Sequence, residues 1–350
     1  MRHKGEPSPV PYLRIILTIF FSAAALLGGA YLLGQWLGGD VERIVREPGE
    51  IYDPIEPYIP GTEAAAAAGD VRQESGSEGS AGTANSINSD STGRDAGTDG
   101  TAGGDLAGGV RWPALDEERR ARLSGQTVGW GQGVEVNDQN QPTGALYGRD
   151  KYGELGGYFI LPDAGNTVYL TYDLGYENGY TAPILDALKE KDIKGVFFVT
   201  MDYVKSAPEL VRRIIDEGHV LGNHSVHHPS MPACSAEEAE QEIMGLHNYV
   251  KETFGYEMTL FRFPRGEFSE KTLVQARDLG YASVFWSYAY VDWKTDAQPE
   301  VSASLTKLTK AAHPGAIYLL HTVSATNAAL MGDLIDNLQA AGYTIGLLPH

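Results

Sequence analysis

Six polar residues in the C-terminal half of the chain stand where apolar runs give out. Asp173 ends the run Thr167–Tyr172, and His224 and His228 follow the run His219–Asn223. Arg262 lies in Leu260–Phe263, Asp292 with Trp293 comes after Ala282–Ser287, and His321 closes Gly315–Leu320. Carboxylates and imidazoles take up and give back protons during hydrolysis, and a His-x-x-x-His pair with a carboxylate is a donor set for a divalent cation. Taken singly, each has an ordinary reading. The histidines could make loop hydrogen bonds, Arg262 a core-edge ion pair and Asp292 a loop cap, and His321 could be a satisfied buried histidine. Their recurrence at the same ends of successive strands is what argues for one site.

The elements that must position them are regular from Thr167 onward. Strand-like runs fall at 167–172, 195–200, 219–223, 260–263, 282–287, 315–320 and 343–348, with helical segments between them. Ser206-Ala207-Pro208-Glu209 and Ser235-Ala236-Glu237-Glu238 read as capping boxes, and Gly218, Gly280 and Gly342 as helix stops. Strands alternating with helices predict an α/β fold: an incomplete seven-stranded (β/α) barrel, with an open doubly wound sheet as the alternative.

At these residues the chain resembles the polysaccharide deacetylases, carbohydrate esterase family four, from Thr167 to about Leu348. The resemblance rests on Thr171-Tyr172-Asp173-Leu174-Gly175, His224-Ser225-Val226-His227-His228, Arg262-Phe263-Pro264-Arg265-Gly266, Asp292-Trp293 and Leu319-Leu320-His321. Gly175 to Thr181 and His313 to Thr322, with the lead-in around Trp130, look like the branch that deacetylates N-acetylmuramic acid in peptidoglycan. In spore formers that step precedes the muramic δ-lactam. The resemblance implies that Asp173 is the general base, held by Arg262, and that His321 is the acid, tuned by Asp292. It makes His224 and His228 ligands of a divalent metal, Zn²⁺ being the expected ion, and puts Trp293 in the sugar site.

Two positions depart from the family pattern. Leu174 stands where an aspartate usually serves as third metal ligand, so a weak two-histidine site is expected; Glu177 is the only nearby carboxylate that could substitute. Arg265 stands where tyrosine is common. A planar guanidinium grips a carboxylate through two parallel hydrogen bonds, and muramic acid carries a lactyl carboxylate that glucosamine lacks, so Arg265 is the expected selector.

The remainder of the chain bounds the setting. With 350 residues and a net charge of −19, nothing basic is concentrated enough to follow a nucleic-acid backbone. Cys234 is the lone cysteine, which excludes an internal disulfide. Residues 15–34 carry no charge, Arg2, Lys4 and Arg14 precede them and Asp40 follows. That pattern predicts a single-pass anchor in the cell membrane with the active part outside; a signal peptide cut near Gly28 and Ala30 is the competing reading. Residues 1–39 are thus read as cytoplasmic tip and anchor. Residues 40–110, with fourteen acidic residues against four arginines, are an acidic low-complexity tether. Residues 111–166 form an irregular lead-in, in which Trp130 and Tyr158 cover the core or, less expectedly, rim a sugar cleft. Residues 167–350 form the catalytic domain.

The leading expectation is a hydrolase that removes acetyl groups from peptidoglycan, with glycan strands and the membrane as partners and no protein partner. Another acetylated glycan, such as N-acetylglucosamine polymers, is the second reading. A glycan-binding pseudoenzyme is the third.

Overall fold

A computed structural model describes residues 112–350. Its strands are β1 (Val128–Gly129), β2 (Gly157–Tyr158), β3 (Thr167–Leu174), β4 (Val196–Val199), β5 (Val220–Asn223) and β6 (Leu260–Phe261), followed by β7 (Glu267–Phe268), β8 (Ala282–Val284), β9 (Tyr288–Ala289), β10 (Ala316–His321) and β11 (Thr344–Gly346). Nine of them make one sheet, eight in the order β2-β8-β6-β5-β4-β3-β10-β9 and β11 off that path, and every pairing in it is parallel. β11 pairs with β3 at Thr167–Tyr169, below the stretch that β4 takes. The path ends at β2 and β9, so the sheet curls into a half-barrel that does not close. The seven expected strands are all present. The sheet has nine because two-residue β2 and β9, too short to show a period, extend its edges.

Alternation along the strands divides the core into two layers. On β3, Val168, Leu170, Tyr172 and Leu174 belong to the larger cluster, which also holds Ile184, Leu185 and Leu188 of helix Thr181–Glu190. Tyr169 belongs to the smaller cluster, with Val196, Phe198, Val220, Leu260, Val284 and Ile317. Continuing the second parity up each strand reaches Asp173, His224, Arg262 and His321. The same two-residue period that builds the inner core therefore carries the polar residues to its upper rim.

The local signals behave differently from one another. Ser235 caps helix Ala236–Phe254 with a complete capping box through Glu238. Ser206 does not: it ends helix Met201–Ser206, and Ala207 precedes Pro208–Asp216 with no side-chain cap bond. Proline at the first helical position presets the backbone there, so the helix starts without a hydroxyl cap. Gly218, Gly280 and Gly342 all follow helices with φ between 80° and 91°.

Before β3, helix Thr143–Tyr152 and β2 lie against the body. Trp130 packs edge-on to Phe159 at 4.5 Å between centroids, and Phe159 stacks on Phe285 at 4.4 Å. Among the described residues no helix is long and apolar enough to cross a membrane; the expected anchor and tether lie outside them.

Candidate active site

Asp173 and His321 are register partners on neighbouring strands β3 and β10. Both have inner-face parity, so they face the same hollow. His224 follows β5, and its Nε2 comes within 3.4 Å of Asp173 Oδ2. Arg262, just past β6, has no exposed surface. Its Nη1 donates to Asp173 Oδ1 at 2.7 Å, Nη2 to Thr171 Oγ1 at 2.8 Å and Nε to the Val284 carbonyl at 3.0 Å. The guanidinium lies over the Phe198 ring, 4.2 Å from its centroid. Phe198 in turn requires glycine at position 222, because a Cβ there would come within 2.4 Å of its ring.

Charge is set by these contacts. Burial would push the Asp173 carboxyl up, but Arg262, then His224 and His321, hold it below the ordinary carboxylate range. Burial pulls Arg262 below its usual value without discharging it, since a guanidinium stays protonated in proteins. Burial also lowers His224, and lowers His228 to about 3, so both imidazoles are neutral near pH 7.

His321 has the opposite surroundings. Asp292, fully buried, takes the His321 ring Nδ1–H at 2.7 Å on Oδ1 and the His321 backbone N–H at 2.8 Å on Oδ2. Burial lowers His321, but the Asp292 charge and hydrogen bond outweigh it and raise the pKa. With Nδ1 committed, Nε2 is the nitrogen left for chemistry.

Asn327 was not legible in the sequence. Its Nδ2 donates to Asp292 Oδ2 at 2.6 Å and to the His321 carbonyl at 3.0 Å, and its Oδ1 accepts from Tyr290 Oη. It sits in the first turn of helix Ala325–Ala340, capped by Ser324. A position there reads as helix start, and nothing in its spacing points to Asp292.

These groups share one open pocket. Asp173, His224, His228, Arg265, Trp293 and His321 line it, as do Trp130 to Val134 of the lead-in. Trp293 lies 5.4 Å from the His321 ring. Trp130, 6% exposed, is both core and pocket wall, whereas Tyr158 belongs to the inner core. Arg262 and Asp292 stand behind the wall. Arg265 holds a left-handed backbone, φ 60°, and the Gly266 N–H that follows is committed to the Phe263 carbonyl at 3.0 Å.

The donors suit a metal only sparingly. His224 Nδ1 is tied to the Arg262 carbonyl at 2.9 Å, which leaves Nε2 as ligand, as structured metal-binding histidines require. His228 packs against it with ring centroids 4.7 Å apart. Among the described residues no group of three His, Cys, Asp or Glu is arranged around a cation. Leu174 is fully buried in the outer core layer. The Glu177 carboxylate is taken by the Gly179 N–H at 2.6 Å and Tyr203 Oη at 3.1 Å, away from the pocket lining.

The polysaccharide deacetylase profile matches residues 161–284. Bacillus subtilis peptidoglycan-N-acetylmuramic acid deacetylase PdaA is 42% identical over 222 residues, 63% of this chain and 83% of that protein. The chain belongs to the polysaccharide deacetylase family. This polysaccharide deacetylase is accordingly a member of a hydrolase family, and its fold agrees. The solved structure of PdaA, a family 4 carbohydrate esterase, matches with a TM-score of 0.61 at 40% identity, covering 64% of this chain and 96% of that one. A Bacillus cereus peptidoglycan-N-acetylglucosamine deacetylase is 30% identical over 171 residues, 49% of this chain and 61% of that protein. The deacetylase also matches the Bacillus anthracis family pseudoenzyme BA3943, with a TM-score of 0.51 at 28% identity, covering 54% of this chain and 65% of that one.

Proposed function

We propose that this protein removes the acetyl group from N-acetylmuramic acid in peptidoglycan. The observation that carries the reading is the convergence of two supported pairs, Asp173 with Arg262 and His321 with Asp292, on one pocket. Asp173, kept ionised by Arg262, takes a proton from water as its oxygen attacks the acetyl carbonyl carbon. As the tetrahedral adduct collapses, the carbon–nitrogen bond breaks. His321, protonated through its contact with Asp292, gives the Nε2 proton to the departing amine. Acetate and a free amino sugar leave.

His224 and His228 would hold a divalent cation, zinc being the expected ion. The chemistry such a cation supplies when bound is polarisation of the carbonyl and acidification of water. With Leu174 buried in the core, these two imidazoles are the ligands the described residues offer, and weak binding follows.

Arg265 is the proposed selector. It lines the pocket and its guanidinium suits the lactyl carboxylate, while Trp293 offers a ring face to the sugar. The 42% identity to PdaA supports muramic acid over glucosamine. The second reading, a weakly active glycan binder, draws on the absent third ligand and on the resemblance to BA3943. Two intact proton-transfer pairs favour turnover, because binding alone requires neither. The uncharged run 15–34 supports a membrane anchor that leaves the catalytic part outside, with 40–110 as its tether.

The test is acetate release from purified peptidoglycan, with and without added divalent metal and with Asp173→Asn as control. Release by the wild type and none by Asp173→Asn is expected; no release under any metal condition overturns the reading. Arg265→Ala should lose more on muramic-acid glycans than on glucosamine glycans, and equal losses sink the selectivity.

A further inference from the structure

From Trp130 to Val134 the lead-in lines the pocket as a strap. β1 pairs antiparallel with β7, setting Val128 opposite Phe268 and Gly129 opposite Glu267. The Trp130 N–H continues the contact by donating to the Gly266 carbonyl at 2.9 Å, next to Arg265. Trp130 is pinned: its indole N–H donates to the Trp286 carbonyl at 3.0 Å, and a Cβ on Gly148 would come within 2.5 Å of its ring. The two side chains that follow Gly131 on the strap differ sharply. Gln132 is 7% exposed, and Val134 is 69% exposed, although both line the pocket.

Gln132 is oriented by its neighbour. The Trp286 indole can only donate, so the amide atom 3.0 Å from it must be the acceptor Oε1. The opposite end is therefore the NH₂ group. Among the described residues the Trp286 contact is the one hydrogen bond of the Gln132 side chain. The amide is thus fixed in orientation, on a residue that lines the pocket.

We infer that the strap forms the subsite for the 3-O-lactyl group: Gln132 Nε2 donates to its carboxylate beside Arg265, and Val134 covers its methyl. The inference rests on the muramic-acid reading. An amide N–H and a guanidinium together satisfy both carboxylate oxygens, and an exposed valine at the rim of a polar site suits a small alkyl substituent. Glucosamine has only a hydroxyl at that position, so it gains little from either residue.

Gln132→Glu is the sharpest variant, because it keeps an oxygen for the Trp286 indole while replacing the donor with an acceptor. Val134→Asp, at an exposed position, adds like charge without touching the core. In the full-length protein, kcat/KM is measured on N-acetylmuramic-acid glycans and on N-acetylglucosamine oligomers. Binding of the same glycans to the Asp173→Asn background is measured by calorimetry. Both variants should lower the muramic-to-glucosamine ratio by about tenfold or more, the size expected when a charged hydrogen bond is lost. If the wild type prefers muramic acid and neither variant changes the ratio, the strap subsite is wrong and the proposed function stands. If the wild type shows no preference, both fall.

Discussion

Arg262 spans the half-barrel to reach Asp173, Nη1 to Oδ1 at 2.7 Å, with the arginine wholly buried and the carboxylate nearly so. A cation without solvent is tolerable only because each of its faces is occupied: Thr171, the Val284 carbonyl and the Phe198 ring complete its surroundings. Removing one partner leaves the other charged and dry, which makes the pair a sensitive point for both stability and chemistry.

Arg262→Met should destabilise the fold by about 3–5 kcal/mol, since it strands the Asp173 carboxylate. It should also move the acidic limb of kcat/KM to higher pH, because burial then raises Asp173 against only the weaker pull of His224 and His321. The folded-state carboxyl is lowered in the wild type. Its stabilising contribution is therefore present above the unfolded value of about 3.9 and is lost as pH falls through the lower folded value. Thermal melts between pH 3 and 7 and a pH–rate profile check both; an unmoved acidic limb would show that Arg262 does not set the charge of Asp173.

Asp292→Asn acts on the other limb. His321 is raised by Asp292, so its protonated form persists to higher pH in the wild type. The pair's contribution to stability is complete below the unfolded imidazole value of about 6.5 and disappears as pH rises through the folded value. The variant should shift the alkaline limb to lower pH and reduce kcat at neutral pH by roughly 10²–10⁴-fold. An alkaline limb that stays in place would remove His321 from the acid role.

Asn327 supplies a second donor to the Asp292 oxygen that also takes the His321 backbone N–H. Asn327→Ala leaves that buried oxygen with one donor fewer and Tyr290 Oη without its acceptor, at a cost of about 1–3 kcal/mol. If Asn327 positions the pair, kcat should fall while KM changes little. The effect should also be smaller in an Asp292→Asn background, where the pair is already broken. Full additivity of the two substitutions would make Asn327 merely structural.

What the sequence disclosed, and what it withheld, follows from periodicity. Asp173, His224, Arg262 and His321 could be read because each extends a strand's two-residue alternation beyond its apolar stretch. Asp292 lies beyond its strand; its position with Trp293 marked it, but its tie to His321 came only from the family motif. Asn327 escaped because its partner is 35 positions away, across a helix start whose Ser324 cap accounts for the local polar residues. Gln132 escaped because the lead-in has no period, and its role depends on an indole contributed by Trp286. Leu174 was recognised as unable to ligate; that it faces the helix layer is a matter of strand parity, which the broken motif alone did not reveal.

The two histidines give the last prediction. Nδ1 of His224 is tied to the Arg262 carbonyl, and the His228 backbone N–H donates to Ser225 Oγ at 2.9 Å, so the loop is held before any cation arrives. Zinc titrated into metal-free protein should bind at one site, more weakly than at sites with three protein ligands. His224→Ala and His228→Ala should each abolish that binding. His228→Ala should leave the melting temperature without zinc near the wild-type value, because no described hydrogen bond depends on its ring. Glu177→Gln should leave affinity unchanged, since its carboxylate is engaged by Gly179 and Tyr203. Calorimetry reads all three, and zinc affinity that survives loss of either histidine would place the cation elsewhere.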